Sequence, residues 1–167
     1  ISADGDNWFW ERLGPSTSPI SGTYSFDLPS VASRPLTATL EGWLRGRAAY
    51  LNHSVDIEIN NHTVYTATWA RSKDHVFTTT FPITYLHAGA NHIVVTAGVD
   101  NVIDDLYVNR FALTYGSAYT ARNDLLRFEA DTPGLWAYNL SGFSTDAVGI
   151  WEVTDPLSAT AITGAQA

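Results

Sequence analysis

The chain is 167 residues long, enough for one full domain and a small second unit. Nine Lys and Arg stand against seventeen Asp and Glu, a formal charge of −8. That excludes a nucleic-acid partner, which needs clustered bases, and disfavours an anionic membrane surface. There is no cysteine, so disulfides, thiolate metal sites and a cysteine nucleophile are all removed from this chain.

Charged residues make up 16% and aromatics 13% of the chain, which is rich in Thr, Val, Tyr and Trp and predicts strands. No apolar run approaches the ~20 residues of a membrane span, so no membrane insertion is expected. Methionine is absent even from position 1, which reads as a processed or excised piece of something longer.

In chain order, Asp4-Gly-Asp-Asn7 reads as a turn ahead of an aromatic cluster, Trp8, Phe9 and Trp10. Residues 14–22 read as a Pro/Ser/Thr loop. Strands are predicted over 23–28, ended by Pro29, and over 36–44, where Leu36, Ala38 and Leu40 share a face. Residues 45–52 read as a loop. The clearest hairpin spans 53–69. In it Val55, Ile57 and Ile59 alternate with Asp56 and Glu58, Asn60-Asn-His62 makes the turn, and Tyr65, Ala67 and Trp69 return in phase.

A further strand is predicted over 75–82, with Pro82 marking a sheet edge. Gly89 supplies a turn before a strand that points Ile93 and Val95 inward. Residues 101–115 close the series: Phe111, Leu113 and Tyr115 fall on one face, Arg110, Ala112 and Thr114 on the other. A polar linker, Gly116-Ser-Ala118, leads to three short predicted strands at 124–130, 135–140 and 148–153, with turns at Pro133-Gly134 and Ser141-Gly142. The tail from Leu157 is expected to fray.

These elements predict an all-β fold: a jelly-roll β-sandwich over residues 1–117 and a small, incomplete second β unit over 118–167. About 50 residues of strand seldom bury enough apolar surface alone. The second unit therefore either packs on the sandwich or starts a second domain.

Two resemblances add to this reading. Val-x-Ile-x-Ile-Asn-Asn at 55–61 and Leu-x-x-Gly-x-Asn-x-Ile-x-Val at 86–95 resemble the galactose-binding-like jelly rolls, which occur as accessory modules on many secreted enzymes. Asn61 stands where that group usually has Gly, which implies a looser turn. A second set of phrases is Trp8-Phe-Trp-Glu-Arg-Leu13, Asn109-Arg-Phe-Ala-Leu-Thr-Tyr115, Tyr119-Thr-Ala-Arg-Asn-Asp-Leu-Leu-Arg-Phe128, Leu140-Ser-Gly-Phe-Ser-Thr145 and Trp151-Glu-Val-Thr-Asp-Pro156. It is similar to the non-catalytic region upstream of the catalytic domain in gingipain-like cysteine peptidases. This resemblance implies an extracellular or cell-surface setting, a prokaryotic source and a downstream catalytic domain as partner. Asn109 stands where that family often carries an acid, which counts against a metal role at that position. The family's Cys–His dyad needs a thiolate, and this chain has none to give.

Few residues point to chemistry. The five histidines show no metal spacing, and Gly142-Phe-Ser144-Thr lacks the second Gly of a nucleophile elbow. Asp56, Glu58 and Glu152 read as solvated charges rather than a glycosidase pair. The acids at the two ends of the sandwich are better placed. Asp4 and Asp6 open it, Asp104 and Asp105 precede its last strand, and first and last strands in such folds often lie close. Together they could share a structural calcium ion, against the plain reading of two acidic turns. Trp8, Trp10 and Trp43 are candidates for stacking on sugar rings, whereas Trp69 and Trp151 read as core. Asn52, Asn61 and Asn139 head glycosylation sequons that read as chance occurrences. The function expected is a non-catalytic accessory domain of a larger secreted protein. A carbohydrate-binding module that takes glycans is the alternative, and a β-sandwich hydrolase has no motif to support it.

Overall fold

The computed structural model describes residues 8–33, 36–98, 103–129, 134, 136–155 and 157–163. Ten strands follow in order: β1 (Glu11–Ser16), β2 (Ile20–Leu28), β3 (Thr37–Gly46), β4 (Asn52–Ile59), β5 (His62–Ala70), β6 (Asp74–Pro82), β7 (Gly89–Ala97), β8 (Asp104–Thr114), β9 (Ile150–Glu152) and β10 (Thr160–Ile162). A single 3-10 turn, Ile83–Tyr85, is the one helical element among the described residues. Contacts within the chain divide it into two units, Ile1–Ala118 and Tyr119–Ala167.

The first unit is a sandwich of two antiparallel four-stranded sheets, ordered β1-β8-β3-β6 and β2-β7-β4-β5. Strand alternation builds its core. Val55, Ile57 and Ile59 from one sheet are fully buried, as are Ala38, Leu40, Leu44, Leu106 and Val108 from the other. Tyr65, Ala67, Trp69, Phe111, Leu113 and Tyr115 are half-buried against this cluster, so the phases predicted for the β4–β5 hairpin and for β8 both hold. Pro82 lies in β6, an edge strand as expected.

Within β8 the inward positions change from even to odd numbers, Leu106 and Val108 before, Phe111 and Leu113 after. A bulge makes the change: Trp43 of β3 pairs with Arg110 and Leu44 with Val108, so Asn109 is the extra residue.

The stretch 14–22 is not a loop. It forms the end of β1, a tight reversal and the start of β2. Gly14, at φ +108°, breaks the β1–β8 register between Leu13 and Ser16, and a Cβ there would collide with the Asp104 carbonyl oxygen. A Pro/Ser/Thr composition therefore hides an edge strand. The β4–β5 turn is also tighter than expected. Ile59 pairs with His62, leaving a two-residue turn in which Asn60 (φ 48°) and Asn61 (φ 67°) both take the left-handed conformation. Asparagine tolerates that conformation, so Gly is not needed.

The Asn60 side chain explains the turn further. Its Nδ2 donates to Asn91 Oδ1 (2.8 Å) and to the Tyr85 carbonyl (2.7 Å), and its Oδ1 accepts from the His92 N–H (3.0 Å). Asn91, buried, also accepts from the His87 N–H and donates to the carbonyls of His87 and Gly89. The two asparagines of the resembling phrases thus lock one hairpin to the strand that follows the 3-10 turn.

The second unit is sparser. Residues 124–129 are not a strand. Asn123 (φ 50°) and Asp124 (φ 61°) make a tight turn between Arg122 and Leu125, and Asp124 accepts from the Ser144 N–H (2.6 Å) and hydroxyl (2.8 Å). Local side-chain bonds of this kind compete with a ladder. Residues 136–140 form no strand either; an isolated bridge joins Thr120 to Ser141. The predicted third strand survives as β9, which pairs with β10, so part of the tail expected to fray is ordered. Trp151 was expected in a core but is 61% exposed, because a two-stranded ribbon has no second layer to cover it. Tyr119, Phe128 and Tyr138 cluster with ring centroids 4.8–5.3 Å apart.

Candidate functional site

The acids at the start of β8 sit where β1, β3 and β4 converge. Antiparallel pairing of β1 with β8 places Arg12 beside Tyr107, so first and last strands of the sandwich are neighbours, as the sequence suggested. Arg12 makes a two-pronged bond to Asp105, Nε to Oδ1 at 2.8 Å and one terminal nitrogen to Oδ2 at 2.9 Å. Arg47 adds a second guanidinium at 2.9 Å. Burial tends to raise the Asp105 carboxyl, but the bonds and charges of Arg12 and Arg47 outweigh it and hold the group below the ordinary aspartate value.

Asp104 faces the other way, into the sandwich, and is 1% exposed. His53 of β4 donates Nδ1–H to Asp104 Oδ1 at 2.6 Å, the Ser54 N–H reaches Oδ2 at 2.9 Å, and the Asp105 N–H reaches Oδ1 at 2.7 Å. Here too burial raises the carboxyl while His53 and the two N–H groups together bring it below its ordinary value. The pair ties the two sheets together across the core. His53 itself is fully buried, its Nε2 has no partner, and a Cβ at Gly46 would collide with its ring. An Asp–His pair of this form can orient a general base, but a ring with no solvent contact reaches no substrate. We read it as a structural staple.

The oxygens of Asp104 and Asp105, named as calcium ligands, here serve His53, two guanidinium groups and two backbone amides. Asp4 and Asp6 lie outside the described residues. Among the described residues no group of three or more His, Asp and Glu could hold a metal ion.

The tryptophans named for sugar stacking fall in different places. Trp43 is 8% exposed, on the outer face of β3, with the Arg110 guanidinium 5.1 Å above its ring. Trp8 and Trp10 are 85% and 58% exposed. Trp10 stands 5.9 Å from Tyr24 and 6.1 Å from Phe111, at the mouth of a slot of about 240 Å³ between the two sheets. Neither Tyr24 nor Phe111 was a sequence candidate for binding; each was placed only within a predicted strand, and strand pattern gives no sign that the sandwich is open there. Tyr24 donates to Glu11 at 2.8 Å, and burial first, then this bond, raises its hydroxyl pKa.

A second aromatic group closes the opposite edge. Trp69 of β5 stacks on His75 of β6 (4.5 Å, 12°), Tyr65 stacks on Phe77 (4.0 Å, 9°), and the Tyr65 hydroxyl hydrogen-bonds His75 Nε2 at 2.9 Å. Burial lowers the His75 pKa.

Among solved structures the described fold finds a match in the crystal structure of dimeric latent PorU from Porphyromonas gingivalis, with a TM-score of 0.52 and 8% identity over 76% of this chain and 13% of that one. The chain shares the fold of a part of PorU. The expected likeness to a β-sandwich region of gingipain-like proteins therefore holds at the level of fold. The matched part is a small fraction of that protein's length. Two smaller structures are similar at lower scores. One is a family 35 carbohydrate-binding module from an environmental isolate (TM-score 0.47, 14% identity, 70% of this chain and 83% of that one). The other is the carbohydrate-binding module CBM36 in complex with calcium and xylotriose (TM-score 0.41, 16% identity, 62% and 78%). No family profile matches the chain, and no curated protein matches it.

Proposed function

We propose that this chain is a non-catalytic accessory β-sandwich of a larger secreted or cell-surface protein, a gingipain-like cysteine peptidase. The observation that carries the reading is the fold match to 13% of a much longer chain, joined to the absence of any cysteine. The domain's partner is then the catalytic domain downstream in the same polypeptide. Its role is to let that domain fold and stay controlled, not to cut peptide bonds. Deleting the coding region for residues 8–118 from the host gene tests this. Loss of secreted peptidase activity with the Cys–His domain left intact is the expected result; unchanged activity and secretion contradicts it.

A second reading, glycan binding, is favoured by the exposure of Trp8 and Trp10. Trp43 joins such a site only if Arg110 leaves its ring. Quenching of tryptophan fluorescence by an oligosaccharide, lost in Trp10→Ala, is the outcome this reading requires.

A structural calcium ion remains a proposal that runs through Asp4 and Asp6, since an ion reaching Asp105 has to displace Arg12 and Arg47. A rise of Tm in millimolar calcium that vanishes in the Asp4→Asn, Asp6→Asn double variant supports it, and an unchanged Tm removes it.

A further inference from the structure

Among the described residues β8 is incompletely covered. On one side it pairs with β3 along Leu106–Thr114. On the other side β1 reaches it only from Asp104 to Val108. Two backbone bonds bracket the rest: the Trp10 N–H donates to the Val108 carbonyl (2.8 Å), and the Ala32 N–H donates to the Gly116 carbonyl (2.9 Å). Between them, residues Asn109–Tyr115 have no strand partner on that side among the described residues. At the strand rise this is a vacancy of about 24 Å, room for one short strand. Natural sheets seldom leave such an edge bare.

The side chains along the vacancy alternate. Phe111 and Leu113 point inward and line the slot with Trp10, Tyr24, Phe26 and Ile93. Ser25 is the single polar residue in that lining, and the Tyr24 hydroxyl is already engaged by Glu11. The slot therefore offers ring faces and hydrocarbon, which suit an apolar side chain better than a sugar's hydroxyls. Arg110, Ala112 and Thr114 point outward and are exposed. Arg110 lies over Trp43 and, among the described residues, meets no carboxylate.

We propose that this edge is a docking site for an extended segment of another polypeptide, apolar at alternate positions and acidic opposite Arg110. The segment adds a strand to β8. Main-chain bonds to Asn109–Tyr115 supply the general affinity, the slot takes the apolar side chains opposite Phe111 and Leu113, and the Arg110 charge, which meets no carboxylate among the described residues, selects an acid on the outer face. The inference goes beyond the accessory-domain reading and stands on its own observations.

An array of twelve-residue peptides tests it, comparing alternating apolar–acidic sequences with shuffles of the same composition, probed with the full chain and followed by fluorescence anisotropy. The proposal expects the alternating set to be retained and the shuffles not. It expects N-methylation of alternate peptide amides to weaken binding at least tenfold. Arg110→Glu should weaken acidic peptides at least tenfold and admit their lysine counterparts, with the fold retained by circular dichroism. Equal retention of both sets, or indifference to N-methylation and to Arg110→Glu, overturns it. So does concentration-dependent dimerisation through the edge, which makes a second copy the occupant, or binding only by a chain shortened to begin at Trp8. Slot quenching by xylo-oligosaccharides with no peptide retained also overturns it, in favour of a glycan.

Discussion

Asp104 carries a buried charge that three donors satisfy, and removing its partners or the group itself leaves uncompensated polar atoms in the core. Asp104→Ala is predicted to cost about 3–5 kcal/mol, read as a loss of denaturation midpoint. The sign of its pH dependence follows from the lowered folded-state value. The stabilisation is fully present above about pH 3.9, the ordinary aspartate value, and is lost as pH falls through the lower folded value. Asp105 adds to the same window. Acid unfolding should therefore be steep in wild type and shallower in Asp104→Asn. None of this was legible in the sequence, where Asp104 and Asp105 read as acids open to an ion. His53 lies 51 residues away, and only folding brings the two together. Asn91 shows the converse. Its place in a recognisable phrase was legible, but its reason, the bond to Asn60, was not. Asn91→Ala should lower stability by on the order of 3 kcal/mol by leaving one of the two Asn60 Nδ2 hydrogens, the His87 N–H and the carbonyls of His87 and Gly89 without their partner, as measured by urea unfolding.

Between elements, the edge where β5 meets β6 is sealed by Trp69, His75, Tyr65 and Phe77. Burial lowers the His75 pKa, so the native state favours the neutral ring. The contribution is whole above about pH 6.5, the ordinary histidine value, and is lost as pH falls toward the folded value. His75→Phe, which keeps the stack, should flatten the stability profile in that upper window and leave the lower, aspartate window intact. A profile equally steep in the variant contradicts this assignment. Alternation made the inward faces of β4, β5 and β6 legible because period two is a local property. The bulge at Asn109 was not, since an extra residue in β8 shows only against its partner β3. The edge strand β1 was hidden for a similar reason: Gly14 and Pro15 read as loop, while pairing with β8 is a long-range matter.

For the whole molecule, the sandwich has one continuous core and the second unit is thin. β9 and β10 expose Trp151 and Ile162, and a lone two-stranded ribbon is marginally stable. The division between Ala118 and Tyr119 is proposed to be a functional one as well. A chain ending at Ala118 is expected to keep the main cooperative melting transition of the full chain. Failure to fold would make the second unit part of the first domain. The all-β class was legible from composition, and the sandwich from its alternating strands, because both follow from local pattern. The site was legible only as residue types, since burial decides which tryptophan is a surface and which is covered by an arginine.

The central claim is that this sandwich serves a larger polypeptide whose chemistry lies elsewhere. An antibody against the chain, used to capture the native protein from its host's culture medium and surface after labelling with a thiol-directed cysteine-peptidase probe, tests this most directly. The account predicts a captured protein far heavier than the 18.2 kDa of this chain, labelled on a cysteine outside it. Capture of an unlabelled protein of 18.2 kDa would contradict it.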